Sequence, residues 1–253
     1  MSIQIVTGSN AAYLPRMAPY LASLHTHSRA ENYLLGVGCT PKLNGLSRVI
    51  AIPVPVETAE AGAEETQSLQ HGGFLPYLPG EADDTIIFTD GDMIMQRAIT
   101  LDEWNWLENF PENTVACQWN LGEWQTLEHE AGRLEPKVSI DELRARFDGA
   151  LDATCWNVGV LAARRSMWER LNAEYLTCWR ETKALFGHRA WQQWLIGALF
   201  HRLGLTIERM PFTFHLHGHV WEHPPGIQVV PGVGVFFEGE CVLFRHALRI
   251  VEE

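Results

Sequence analysis

The feature that most constrains the fold of this chain is the run Ile86-Ile87-Phe88-Thr89-Asp90-Gly91-Asp92-Met93-Ile94, where an apolar, strand-like segment stops on two aspartates separated by one glycine. Side chains alternate along a strand, so Asp90 and Asp92 share a face. Gly91 lets the backbone bend until both carboxylates converge on a hard cation. An acidic turn is the plainer reading of the same three residues, since Asp and Gly are ordinary turn formers.

A chain of 253 residues makes one large domain or two small ones, and either buries a sizeable core. No Ser/Pro-rich linker divides it, which favours a single domain over 1–253. Its 31 acidic residues against 19 basic ones give a formal charge of -12 and argue against a nucleic-acid surface, which needs clustered Lys and Arg. Cys39, Cys117, Cys155, Cys178 and Cys241 lie far apart, are odd in number and form no C-x-x-C. They read as reduced thiols of a cytoplasmic protein. The start Met1-Ser2-Ile3-Gln4-Ile5-Val6 is strand-like rather than signal-like, and no apolar run approaches the ~20 residues of a membrane span.

Ile3 to Thr7 reads as a strand, Gly8-Ser9-Asn10 as a turn, and Tyr13 to Thr26 as a helix with Leu14, Met17, Leu21 and Leu24 on one side. Tyr33 to Val37 and Arg48 to Val56 are further strands, the second placed at an edge or loop by Pro53 and Pro55. Glu57 to Gln70, rich in Ala and Glu, reads as a solvated helix or mobile loop. Strands recur at Thr85 to Thr89, Thr114 to Trp119 and Trp156 to Ala162. This alternation predicts an α/β fold, a mostly parallel sheet flanked by helices.

Ligands of open α/β sheets gather at the carboxyl ends of the strands, where both Thr7-Gly8-Ser9-Asn10 and Asp90-Gly91-Asp92 fall. Neither a dinucleotide glycine fingerprint nor a P-loop is present. The hydroxyls of Thr7 and Ser9, the backbone at Gly8, the Asn10 amide and the ring of Tyr13 suit a base or ribose; a βα turn capped by Ser9 or Asn10 is the alternative.

With these segments in this order, the sequence resembles GT-A-type nucleotide-sugar glycosyltransferases, most closely the retaining glycogenin and galactosyltransferase-like group. Ile3 to Tyr13 resembles that family's first strand and nucleotide-holding turn, and Ile86 to Ile94 its aspartate-any-aspartate strand end. Trp156-Asn157-Val158-Gly159-Val160-Leu161 is similar to its aromatic-Asn-Ser-Gly-Val strand, and Gln192-Gln193-Trp194-Leu195-Ile196 to its Asp-Gln helix. Two positions depart from the pattern: Gln192 replaces an acid, and Val158 a serine. The resemblance implies a GT-A-like domain with a nucleotide-binding half over 1–100 and an acceptor-side half over 101–253. It implies a hexosyltransferase that uses a nucleotide diphosphate sugar, a UDP-hexose first, and a saccharide or other hydroxyl acceptor, with retained configuration. Asn157 is then expected at the donor sugar and Gln193 beneath its anomeric carbon.

A departing diphosphate needs its growing charge neutralised, which Mn²⁺ or Mg²⁺ held by Asp90 and Asp92 would do, with Gly91 at the cofactor. The family adds a late histidine. His246, in Val242-Leu243-Phe244-Arg245-His246-Ala247, is preferred to His215, which opens Phe214-His215-Leu216-His217-Gly218-His219; Arg245 is a candidate phosphate contact. Asp148 and Asp152 are candidate supporting carboxylates.

Two other classes compete: a nucleotide-sugar-binding protein without turnover, to which Gln192 gives weight, and a zinc hydrolase built on His215, His217, His219 and His223. Trp104, Trp106, Trp119 and Trp124 are either an acceptor platform or core. Trp168, Leu171, Tyr175, Leu176 and Trp179 have helical spacing and read as core or as the contact of a homodimer.

Overall fold

A computed structural model describes residues 1–56, 73–119, 126–133, 136–147, 149–186, 192–216 and 226–246, the side chains of Trp119, Arg133, Leu176, Gln192 and Gln193 excepted. The strands of the central sheet are β1 (Ile3–Asn10), β2 (Glu31–Val37), β3 (Val49–Val54) and β4 (Thr85–Thr89), then, past a short β5 (Met93–Met95), β6 (Thr114–Trp119), β7 (Trp156–Arg164) and β8 (Thr206–Arg209). The sheet runs β3-β2-β1-β4-β7-β6-β8. Only β7 is antiparallel to its neighbours, β4 and β6. The carboxyl ends of β1, β4 and β6 therefore share one edge.

Both faces of the sheet are covered, and the two-residue period of the strands sorts their side chains. Ile3, Ile5 and Ile87 enter one core with Met17, Tyr20, Leu21 and Leu24, three of them on helix α1 (Ala18–His27). Val6, Ile86 and Phe88 enter the other, opposite the long helix α5 (Arg165–Phe186), which follows α2 (Leu101–Glu108), α3 (Leu127–Arg133) and α4 (Ile140–Arg146). On α5, Trp168, Leu171, Tyr175 and Trp179 form the buried stripe that their spacing predicts, and it packs inside the subunit. Trp168 meets Phe74 edge-on at 5.2 Å. The last helix, α6 (Gln192–Arg202), buries Leu195, Ile196 and Leu199 in the same core. No helix among the described residues is long and apolar enough to cross a membrane.

Two small sheets complete the fold: β9 (His215–Leu216), β10 (Ile227–Val230), β11 (Gly234–Phe237), β12 (Glu240–Cys241) and β13 (Phe244–His246) pair as β10-β11-β12 and, with β5, as β5-β13-β9.

The sequence reading has no strand at β8, starts β2 two residues late at Tyr33 and carries β3 two residues too far to Val56, and the fold departs from it in three further places. β1 continues through Gly8, Ser9 and Asn10, which pair with Leu35, Gly36 and Val37, so a neighbouring strand overrides the turn preference of these residues. The first helix starts as a 3-10 turn, Leu14–Met17, and becomes α-helical at Ala18, because Pro15 and Pro19 supply no N–H. β7 runs two residues beyond Ala162. Thr85–Thr89 and Thr114–Trp119 stand as read, and β3 lies at the sheet edge as its prolines require. Glu57 to Gln70 falls outside the described residues.

Candidate active site

β4 ends at Thr89, and the Asp90 N–H donates to the Gly159 carbonyl at 2.8 Å, which fixes the start of the acidic turn to the neighbouring β7. Gly91 lies against α1's approach: a Cβ there would stand 2.9 Å from Met17 Cε and 3.0 Å from Tyr13 Cε1. The chain then enters β5, whose Met93 pairs with His246 on β13. This pairing brings His246 Nδ1 to 3.5 Å from Asp92 Oδ1, with the imidazole buried and the carboxylate partly open. On the other side of β13, Phe244 pairs with His215, and the two imidazole rings lie 5.7 Å apart. The two histidines that compete in the sequence thus occupy one corner, and His246 is the one facing Asp92.

Gly159 makes that corner. A Cβ on it would come within 2.9 Å of His246 Nε2 and 3.0 Å of Asn157 Oδ1, so the imidazole sits over a bare α-carbon. Asn157 Oδ1 also accepts the Gly159 N–H at 2.9 Å, which turns this buried amide back along its own strand. Val158, facing the opposite side, is buried in the core.

Tyr13 flanks the aspartates. Burial raises its pKa most, the charges of Asp92 and Asp90 raise it further, and Arg16, whose guanidinium lies 5.9 Å from its ring, opposes them. Thr7 and Ser9 are buried in β1, Gly8 is half-buried and Asn10 is exposed. Asn10 Oδ1 accepts the Tyr13 N–H at 3.0 Å, closing the turn ahead of the helix, and Ser9 Oγ donates to the Asn10 carbonyl at 3.0 Å; neither side chain caps the helix, whose start at Tyr13 and Met17 has no side-chain cap.

Carboxylate and imidazole suit Mn²⁺, and two donors bound side by side to such an ion stand about 3 Å apart, close to the Asp92–His246 separation. Among the described residues no group of three or more His, Cys, Asp or Glu is gathered at metal-binding spacing. Asp90, one glycine from Asp92, is the remaining carboxylate of the acidic turn, near enough to Tyr13 for its charge to raise that pKa.

Gln192 and Gln193 open α6, but their side chains lie outside the described residues, as do Asp148, His217, His219, His223, Trp124 and the side chain of Trp119. Asp152 is exposed in a short 3-10 turn, and Arg245 sits on β13 between Ile94 and Leu216. Trp104 and Trp106 are half-buried against the core: Trp106 stacks edge-on with Phe110 and Phe214 and donates to Glu208 at 2.7 Å, and Trp104 donates to Glu108 at 2.9 Å. Gly159 is the functional residue that the sequence reading passed over, although a glycine inside a buried strand signals the close approach of another group.

The sequence matches no protein-family profile and no curated protein. Solved structures do match it. Galactosyltransferase LgtC in complex with donor and acceptor sugar analogs superimposes with a TM-score of 0.57 at 13% identity, over 97% of this chain and 87% of that one. Mouse xyloside xylosyltransferase 1 in its apo form gives 0.55 at 12% identity over 97% of both chains. Glycosyltransferase GlyE of Streptococcus pneumoniae TIGR4 gives 0.54 at 14% identity, over 97% of this chain and 55% of that one. The chain has the GT-A glycosyltransferase fold.

Proposed function

We propose that this protein is a divalent-metal-dependent glycosyltransferase that moves a hexose from a nucleotide diphosphate sugar, UDP-hexose first, to a saccharide or other hydroxyl acceptor with retained configuration. The observation that carries the reading is the corner at the carboxyl edge of the sheet where Asp92 meets His246 over Gly159. Galactosyl and xylosyl transfer by proteins of the same fold support it.

In this reading residues 1–100 bind the nucleotide and 101–253 present the acceptor. Asp90, Asp92 and His246 hold Mn²⁺ or Mg²⁺, which when bound supplies a Lewis acid for the leaving diphosphate. Tyr13, beside Gly91, offers a ring to the base, and Thr7, Gly8, Ser9 and Asn10 form the floor of the nucleotide site. Asn157 holds the donor sugar, and Gln193 faces its anomeric carbon from the side opposite the leaving group. Free thiols at all five cysteines suit a cytoplasmic reaction.

A nucleotide-sugar-binding protein without transfer is the second reading, on the strength of Gln192 at the head of α6 where the family carries an acid. Calorimetric titration of UDP and GDP, with and without Mn²⁺, against wild type and Asp92→Ala tests the binding common to both. Metal-dependent UDP binding lost in the variant is the expected result; no binding of either nucleotide would sink both. Release or transfer of sugar from UDP-hexoses then separates enzyme from binder.

A further inference from the structure

β5 and β13 share only three residue pairs, and β13 and β9 two. Ladders this short fix their register weakly, and a one-residue slip turns every side chain to the other face, which would carry His246 away from Asp92. Two consecutive side chains beyond the end of β5 close this gap. The Gln96 N–H donates to the Leu243 carbonyl at 2.9 Å, which extends the ladder. Its amide Nε2 donates to the carbonyls of Val242 at 2.9 Å and Val235 at 3.3 Å, and its Oε1 accepts the Val235 N–H at 2.8 Å. Gly234 leaves the room for this, since a Cβ there would stand 2.8 Å from Gln96 Oε1.

Arg97 reaches farther. Nε donates to the Cys241 carbonyl at 2.6 Å, on the segment leading into β13, and Nη2 to the Thr213 carbonyl at 3.0 Å, two residues before β9. The same guanidinium forks onto Glu103 of α2 with two bonds of 2.7 Å, and both side chains are largely buried. One planar group on the β5 segment thus ties down the approaches to both other strands of the small sheet and anchors them to a helix.

We infer that Arg97, seconded by Gln96, is a positioning residue that sets the register of β5-β13-β9 and so holds His246 opposite Asp92 for the divalent cation. The inference rests on reading Asp92 and His246 as metal ligands. The clamp lies four to five residues from that pair along the strands, about 13–17 Å at roughly 3.3 Å per residue, so it acts through geometry alone.

Arg97→Lys keeps the charge and loses the fork; Gln96→Leu keeps the shape and loses the hydrogen bonds. Each is titrated with UDP at fixed Mn²⁺ and with UDP alone, and the imidazole ¹⁵N resonances of His246 and His215 are recorded without metal. Mn²⁺-dependent UDP affinity is expected to fall about tenfold, as when a group supporting a metal ligand is lost. Binding of UDP alone should hold, and both imidazole signals should move. A variant that melts earlier yet keeps its Mn²⁺-dependent affinity and its imidazole signals would overturn the inference and leave a structural clamp only. If wild type binds no Mn²⁺ and no UDP, the ligand reading fails, and the imidazole signals still decide whether the clamp places His246. If Arg97→Lys does not fold, Gln96→Leu carries the same comparison.

Discussion

The Asp92–His246 corner depends as much on an absent side chain as on those present. Gly159 supplies the flat floor on which the imidazole rests, and Gly91 the space beside Tyr13 and Met17, yet the two differ in how much a methyl group would disturb. The atoms around Gly159 are a buried imidazole and an amide already bonded to the backbone, neither free to yield. Around Gly91 the first atoms met are the flexible end of a methionine. Gly159→Ala is therefore expected to weaken Mn²⁺-dependent UDP binding by tenfold or more with little loss of secondary structure, and Gly91→Ala by a few-fold at most. Parallel calorimetric titrations check the order, and equal losses would show that the imidazole does not sit where Gly159 needs it. The sequence put Asp90, Asp92, His246 and Asn157 on the candidate list; the approach of His246 to Asp92 and to Gly159 arises from pairing between segments some 90 to 150 residues apart, which no local pattern encodes.

At the scale of elements, α2 shows how one residue serves two structures. Thr100 Oγ1 accepts the Glu103 N–H while the Glu103 carboxylate accepts the Thr100 N–H, a capping box, and the same carboxylate receives the Arg97 fork. Burial raises the Glu103 pKa, but the bonds from Arg97 and the Thr100 backbone, with the guanidinium charge, outweigh it and leave the group below its ordinary value of 4.5. A lowered folded-state pKa means stability that is present in full above the unfolded value and lost as pH falls through the folded one. The melting temperature of wild type should exceed that of Glu103→Gln at pH 7, and the difference should shrink as pH drops below 4.5. A difference constant from pH 7 to 3 would exclude the ion pair as its source. Thr100-x-x-Glu103 is legible as a cap in the sequence; its second partner is not, because Arg97 finds Glu103 only after the turn between β5 and α2 has closed.

For the whole molecule, two cores back to back make the sheet a rigid floor. Trp168 is fully buried between Phe74 and Phe88 and donates to the Ile86 carbonyl at 3.2 Å, two strand residues short of Phe88. Trp168→Ala should cost about 3–5 kcal/mol in urea unfolding, the usual range for an aromatic cavity. A loss below about 1 kcal/mol would contradict the packing. Thiol exposure gives an independent check. Cys117, Cys155 and Cys178 are buried; burial, then the neighbouring Cys155, drives the Cys117 pKa well up, and burial raises Cys178 to about 11. Cys39 and Cys241 are half-buried. A disulfide-forming thiol reagent at pH 8 should titrate only these two rapidly in the native protein, and all five after denaturation.

Six of the seven central strands, the edge position of β3, the stripe on α5 and the acidic strand end were legible in the sequence, because each follows from periodicity, proline or turn chemistry within a few residues; β8 was not. That β1 runs past Gly8, that His246 comes to face Asp92, and that Trp106 of α2 packs against Phe110 and Phe214 was settled only on folding. These three outcomes turn on which distant segment supplies the next hydrogen bond or ring contact, quantities that exist only once the chain has closed on itself.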